Sequence, residues 1–280
     1  MQGVVKTDTT LVWALKSLVL WYGCVGVFSY GYLIRNALLS QFPRPVVDQL
    51  GAMVAVGAVV ISIVWMIRRQ HILRANRAAV ACFGLAIAAA LVGLVSVDPD
   101  FPAKRTHVAQ YFGLAWLVFL GFKNEDRVIV RGLLTVIIAA MLGGLDEMLQ
   151  GAMIERTFGL ADIVTNFCGA LAGGSSAVGV QLLKGRRLLW RRADAAEVAA
   201  PVAVAAGYFL FLAALYPFRG LEFPLWLLLP IAGGLTLLTN ENRWRKLDIA
   251  VVRAHLAIGA IAATAAGGWG YVQLMGIHFI

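Results

Sequence analysis

Charged residues are scarce in this chain. Only 14% of its 280 residues are charged, and 60% are apolar. A soluble domain is about a quarter charged and nearer to half apolar. The composition therefore excludes an ordinary soluble domain and predicts a protein with several membrane-spanning helices.

Cysteine is also rare. The three cysteines, Cys24, Cys82 and Cys168, each lie inside an apolar run, and none has a C-x-x-C or Cys/His spacing. Their odd number and their position argue against a disulfide framework, and their spacing argues against a zinc site. We interpret all three as small apolar packing residues.

The motifs of several common enzyme classes are missing. The sequence has no P-loop, no dinucleotide fingerprint, no H-E-x-x-H and no G-x-S-x-G. The formal net charge of +9 could indicate a nucleic-acid partner, but the basic residues lie in short loops between long apolar runs. That distribution is typical of membrane orientation. We therefore expect no nucleic-acid partner, and the sequence indicates no cofactor.

Apolar runs of about 20 residues predict nine membrane spans. They lie near residues 11–33, 49–67, 78–97, 107–122, 132–150, 161–183, 199–216, 224–239 and 249–275. The first run lacks an A-x-A cleavage site, so we interpret it as a retained helix. The predicted fold is an all-α, polytopic transmembrane helical bundle.

Basic residues alternate between the loops on the two sides of this bundle. Fifteen Lys and Arg lie in or beside the loops after the second, fourth, sixth and eighth spans, against six in the opposite loops. Cytoplasmic loops carry the excess of Lys and Arg. We therefore expect a cytoplasmic N-terminus, with the loops after the third and fifth spans on the outer side.

Polar residues recur at helical spacing between residues 104 and 173. Ionisable side chains at membrane depth cost roughly 2.5 to 3.5 kcal/mol each, so they usually face one another or a wet cavity. Residues three and four apart share one face of a helix. The resulting stripes are Lys104, His107 and Tyr111; Glu147 and Gln150; Asp162 and Asn166. We expect them to converge at the outer ends of three helices, assisted by Gly169 and Gly173, whose G-x-x-x-G spacing lets helix backbones approach closely.

Three elements of this segment resemble the VanZ-like family. They are K-R-T-H-V-A-Q-Y-F-G-L from Lys104 to Leu114, D-E-M-L-Q from Asp146 to Gln150, and R-T-F-G-L-A-D-I-V-T-N-F-C-G-A-L-A-G from Arg156 to Gly173. The family is known by K-x-x-H-F-x-x-Y, E-x-x-Q and R-T-x-x-x-x-D-x-x-x-N-x-x-G-x-x-x-G. Val108 stands where the family usually has an aromatic residue. The match covers about residues 78–183.

The resemblance implies a compartment and a division of the chain. VanZ-like proteins look like bacterial inner-membrane proteins, and the founding member is associated with resistance to teicoplanin, a glycopeptide antibiotic. By this resemblance, residues 78–183 form a VanZ-like four-helix core. Two transmembrane helices within 1–77 precede the core, and three within 184–280 follow it.

The polar stripes predict an outward-facing site for an envelope lipid or a lipid-linked glycan. Lysine and arginine side chains would bind the anionic headgroup of such a ligand. Amide and phenol side chains would orient its hydroxyl groups. If a reaction occurs, carboxylate and imidazole side chains would transfer protons. The substrate-binding candidates are Lys104, Arg105, Tyr111, Gln150, Arg156 and Asn166. The catalytic candidates are Glu147, Asp162 and His107. Glu147 ranks above Asp146, which points about 100° away on a helix.

Other interpretations of the same residues stay open. A transporter would use the carboxylates as proton or ion sites, and an assembly subunit would use the cluster to hold helices or a membrane-protein partner. Glu147, Asp162 and His107 also form a carboxylate–imidazole set for a metal ion, but with a single histidine in the cluster we predict no metal. Whether the protein is an enzyme is left open.

Overall fold

The computed structural model describes residues 37–68, 76–97, 102–122, 125–151, 158–187, 192–218, 228–229, 231–233 and 249–274. These residues are helical or lie in turns and short connections, and they contain no strand. The long helices are α1 (Arg44–Arg68), α2 (Arg77–Val95), α3 (Thr106–Gly121), α4 (Val128–Gly151), α5 (Leu160–Leu183), α6 (Arg192–Leu215) and α7 (Ile249–Leu274). A 3₁₀ turn, Pro102–Arg105, precedes α3. The prediction of an all-helical fold is confirmed for this part of the chain.

Five helices are long and apolar enough to cross a membrane. They are α2, α4, α5, the segment Glu197–Leu215 of α6 and the segment Val251–Gly270 of α7. This supports a multi-pass membrane protein. The second and fourth predicted spans, 49–67 and 107–122, fall on α1 and α3, which are not among these five helices. The first predicted span, 11–33, and most of the eighth, 224–239, lie outside the described residues. The count of nine spans and the cytoplasmic N-terminus therefore stay predictions.

Helix α5 lies at the centre of the segment from α2 to α5. It packs against α2, α3 and α4, and α4 packs on its other side against α6 and α7. One apolar cluster fills the space between α4, α6 and α7, and includes the fully buried Met141, Tyr208 and Ile258. Helix α4 is consequently covered on both sides, which buries polar residues on more than one of its faces.

Local sequence signals define the ends of α2 and α5. The Asn76 side chain accepts a hydrogen bond of 3.0 Å from the backbone N–H of Ala79 and donates one of 3.0 Å to the carbonyl of Leu182. The first bond caps α2, and the second ties its start to the end of α5. Gly185, with φ of +84°, ends α5 in the left-handed region that glycine adopts without steric cost.

A buried ion-pair cluster joins the start of α4 to the start of α6. Arg127 donates to both carboxylate oxygens of Glu125 at 2.8 and 2.7 Å, to Asp194 at 3.0 Å and to Glu197 at 2.6 Å. Glu125 and Asp194 are buried, and the Arg127 side chain is only 11% exposed. The hydrogen bonds to Glu125, assisted by Glu197 and Asp194, outweigh burial and raise the pKa of Arg127 above its ordinary value.

In the sequence, Arg127 counts only among the loop cations that indicate orientation, and its ion pairs are a finding of the structure. Helix α6 begins at Arg192, seven residues before the apolar run near 199. Asp194 and Glu197 are three apart and share one helix face, so Arg127 can hold both. The spacing Asp194-x-x-Glu197 was the signal that could have revealed the longer helix.

Candidate functional site

Three helix ends meet at the end of the bundle opposite the Arg127 cluster. Helices α3 and α5 begin there and α4 ends there, so the polar stripes of all three converge. We call the group formed by Lys104, His107, Tyr111, Asp146, Glu147, Gln150, Asp162 and Asn166 the polar cluster. Its members come from three separated parts of the sequence, and hydrogen bonds and ion pairs connect these parts.

Lys104 and Asp162 form an ion pair at the rim of the polar cluster. Lys104 lies in the 3₁₀ turn before α3, and its side chain is 28% exposed, whereas the side chain of Asp162 is 4% exposed. Asp162 also lies in the first turn of α5, where the helix dipole favours a negative charge. The pair therefore presents a cation at the edge of an otherwise buried site.

His107 is held by Asn166 from the neighbouring helix. Its Nδ1 lies 2.9 Å from Asn166 Oδ1, and Asn166 Nδ2 donates at 3.2 Å to the carbonyl of Gly143. Because the amide oxygen only accepts, Nδ1 carries a proton, and Nε2 is the lone-pair nitrogen whenever the ring is neutral. Asn166 thus fixes the tautomer and the orientation of His107, with both of its own amide groups engaged inside the protein.

Asp146, Glu147 and Gln150 occupy the last turns of α4. Gln150 Nε2 donates to Asp146 Oδ2 at 3.1 Å and to Glu147 Oε1 at 3.2 Å, and Tyr111 donates to Asp146 Oδ2 at 3.1 Å. Asp146 is 6% exposed and Glu147 is fully buried. Two adjacent carboxylates are therefore buried together, although they leave the helix in different directions.

Asp146 belongs to the polar cluster together with Glu147, the higher-ranked candidate of the sequence analysis. Adjacent helical residues point about 100° apart. The surrounding helices cover both faces of α4, so both carboxylates are buried and both accept from Gln150. The i, i+4 spacing of Asp146 and Gln150 was the signal that pointed to this contact.

His107, Asp146 and Glu147 bring possible ligand atoms close together. One nitrogen or oxygen atom of each lies within 4.8 Å of the corresponding atoms of the other two. The metal set considered from the sequence contained Asp162 in place of Asp146. In the structure, Asp162 instead pairs with Lys104 at the rim.

Close contact between α3 and α5 makes this convergence geometrically feasible. A Cβ atom added at Gly169 would come within 2.7 Å of the carbonyl oxygen of Val108 and 3.0 Å of Tyr111 Cβ. Gly173 meets the backbone of Phe112 in the same way, one turn further along. Only glycine leaves room for such an approach, as the G-x-x-x-G spacing predicts.

Two predicted binding residues lie away from these contacts or outside the described chain. Arg105 donates through Nε to the carbonyl of Leu94 at 3.3 Å, which ties it to the end of α2. Arg156 lies outside the described residues. Of the cations predicted to hold a headgroup, Lys104 is the one that the structure places in the polar cluster.

The fold and the site define a class: a helical protein with several potential membrane spans and a buried polar cluster at one end of its bundle. Comparison with family models, with curated proteins and with solved structures finds no match.

Proposed function

We propose that this chain is a VanZ-like protein of the bacterial inner membrane whose polar cluster binds an envelope lipid or lipid-linked glycan by its anionic headgroup. The network of contacts among the three sequence elements carries this proposal. The first element contacts the third through Lys104–Asp162 and His107–Asn166, and it contacts the second through Tyr111–Asp146. Within the described residues, the three elements that carry the resemblance therefore contact one another.

The distribution of exposure suits an amphiphile. Lys104 is partly exposed at the rim, while Asp146, Glu147 and Gln150 lie deeper and are buried. An ammonium group has three N–H donors, so Lys104 can hold Asp162 and still donate to a phosphate oxygen. The acyl or prenyl chains of such a ligand would remain in the bilayer while its headgroup enters between the helix ends.

The position of the cluster favours headgroup binding over transport. Helix α4 has 24 residues and is about 36 Å long at 1.5 Å per residue, longer than the roughly 30 Å hydrocarbon layer. Asp146, Glu147 and Gln150 all lie in its last six residues. Transport sites usually lie near the midplane of the membrane, whereas this cluster is at a helix end.

Replacing Lys104 with glutamine should weaken binding of a phosphorylated lipid. A charge-assisted hydrogen bond contributes about 1.5 to 3 kcal/mol, so the Kd should rise about 10- to 100-fold. Purified protein in detergent would be titrated with a polyprenyl phosphate and, in parallel, with the matching uncharged polyprenol. We expect Lys104→Gln to lose affinity for the phosphate and to leave the weaker binding of the alcohol unchanged.

Lys184 provides the matched control, because it is an exposed lysine after the other end of α5. Lys184→Gln makes the same change in charge and should bind the phosphate like the unaltered protein. Equal loss in both variants would indicate nonspecific electrostatic attraction and contradict the proposal, as would no loss in either.

The further proposal of a role in glycopeptide resistance predicts that deleting the gene changes teicoplanin susceptibility.

A further inference from the structure

We infer that His107, Asp146 and Glu147 together bind a divalent transition-metal ion of the Zn²⁺ or Mn²⁺ class. Their possible ligand atoms lie within 4.8 Å of one another and come from two helices, α3 and α4. Atoms bound tetrahedrally to one ion at about 2.1 Å lie about 3.4 Å apart. The set would therefore need to contract by up to about 1.4 Å around an ion, which side-chain rotation can supply.

The donor types match this class of ion. One imidazole and two carboxylates give a nitrogen and oxygen set; imidazole is suited to zinc, and carboxylate is accepted by zinc and manganese. Three protein ligands are also typical of sites that leave a coordination position for an exogenous molecule, whereas structural zinc sites are closed by four. We therefore expect the bound ion to keep one coordination position open for a molecule from outside the protein.

The two carboxylates of this set are adjacent on α4. Asp146 is 6% exposed and Glu147 is fully buried, and both lie in the last turns of the helix. Two carboxylates and one divalent ion have formal charges that sum to zero, so an ion bound by them and a neutral imidazole forms a set with no net charge.

His107 is oriented by a residue outside the proposed ligand set. It lies in the first turn of α3. Asn166 accepts from Nδ1, which leaves Nε2 as the lone-pair nitrogen. Metal-binding histidines usually have their second nitrogen held by such a partner. Asn166 would therefore be a positioning residue for the metal site.

The two carboxylates are held in a similar manner. Gln150 and Tyr111 donate to Asp146 Oδ2, and Gln150 also donates to Glu147 Oε1. A carboxylate has two oxygens with about four acceptor positions, so it can accept these bonds and bind an ion simultaneously. Outer partners of this kind fix the direction of the metal ligands.

The role of the ion rests on the proposed function. A metal with an open position would bind a phosphate oxygen of the lipid headgroup, while Lys104 at the rim would bind a second oxygen. The substrate class is then narrowed to phosphate- or pyrophosphate-bearing amphiphiles. An uncharged glycolipid would gain nothing from the ion.

The test is metal binding by the whole purified chain in detergent. The protein would be stripped with EDTA, dialysed against micromolar Zn²⁺ or Mn²⁺, and analysed for bound metal by mass spectrometry. We expect one ion per chain, with Co²⁺ giving the visible absorption of a site with nitrogen and oxygen ligands. Less than a tenth of an equivalent of each metal in the unaltered protein would overturn the inference without reference to any variant.

Near-isosteric variants assign the ligands. Glu147→Gln and Asp146→Asn should each weaken metal binding by more than the roughly 10- to 100-fold that the loss of an outer partner causes. Asn166→Ala should fall within that range. Asp126→Asn is the control, because this exposed carboxylate lies at the other end of the bundle and pairs with Arg186. Unchanged affinity in both ligand variants, or equal loss in the control, would contradict the site.

Lipid titrations separate this inference from the proposed function. If stripped and loaded protein bind the polyprenyl phosphate equally, with loss in Lys104→Gln, the headgroup role of the ion is wrong and the proposed function stands. If one ion binds and no lipid does, the metal site stands and the proposed function is wrong. If loading raises affinity for the phosphate and not for the polyprenol, both are supported.

Discussion

Replacing Arg127 with methionine should lower the free energy of unfolding by about 3–5 kcal/mol, the cost of removing one partner from a buried ion pair. The change leaves Glu125 and Asp194 buried without the guanidinium that now contacts both. Removing a cation from buried carboxylates is costly, because burial disfavours an ionised group. Reversible unfolding in mixed detergent micelles, followed by tryptophan fluorescence, would measure the loss.

Arg186 supplies the comparison for this experiment. It pairs with Asp126 at 3.1 Å, but the two side chains are 57% and 78% exposed. Exposed pairs contribute about 0–1 kcal/mol, so Arg186→Met should have little effect. Adding Glu125→Gln to Arg127→Met should restore part of the stability, because it removes the buried negative charge of Glu125. Similar losses for Arg127→Met and Arg186→Met would contradict the view that burial gives the Arg127 cluster its importance.

Replacing Gly173 with alanine should destabilise the protein by about 1–3 kcal/mol, the usual cost of overpacking a tight core. The new Cβ would lie 2.9 Å from the Cα atom of Phe112 and 2.8 Å from Ala115 Cβ, and it would also press on the carbonyl oxygen of Phe112. Backbone atoms cannot turn aside as a flexible side chain can, so α3 and α5 must separate. Because His107 lies in the first turn of α3 and Lys104 in the 3₁₀ turn just before it, metal and lipid binding should weaken as well.

Gly113 is the matched position, since it lies on α3 and an added Cβ there would meet nothing within 4 Å. Gly113→Ala should keep or raise stability, because alanine is favoured over glycine in a helix by about 1 kcal/mol. Unfolding and metal binding would be measured on both variants. Normal stability and metal affinity in Gly173→Ala would show that the contact between α3 and α5 does not hold the site together.

The sequence was sufficient to predict where several of the helices begin and end. Helices α2, α3 and α5 begin and end within about two residues of their predicted spans. The helical stripes also identified most members of the polar cluster, because residues three and four apart must share a face. These successes depend on local periodicity, which a single sequence contains.

The remaining features depend on which helices become neighbours. Spacing alone could not show that Asp162 pairs with Lys104, or that Asp146 lies beside Glu147 and His107. Likewise, nothing local to Arg127 indicates that it contacts Asp194 from a helix more than 60 residues later. In each case the packing of several helices determines which charged side chains become neighbours. Their charges alone would also allow other ion pairs.

The polar groups at both ends of α4 restrict how this helix can move. One end is joined to α6 by Arg127, and the other carries Asp146 and Gln150, about 29 to 35 Å away along the axis. A piston-like shift of α4 along its axis would break contacts at both ends together and carry charged groups toward the hydrocarbon. Helix α4 is therefore expected to keep its position along the axis while the helices around it adjust.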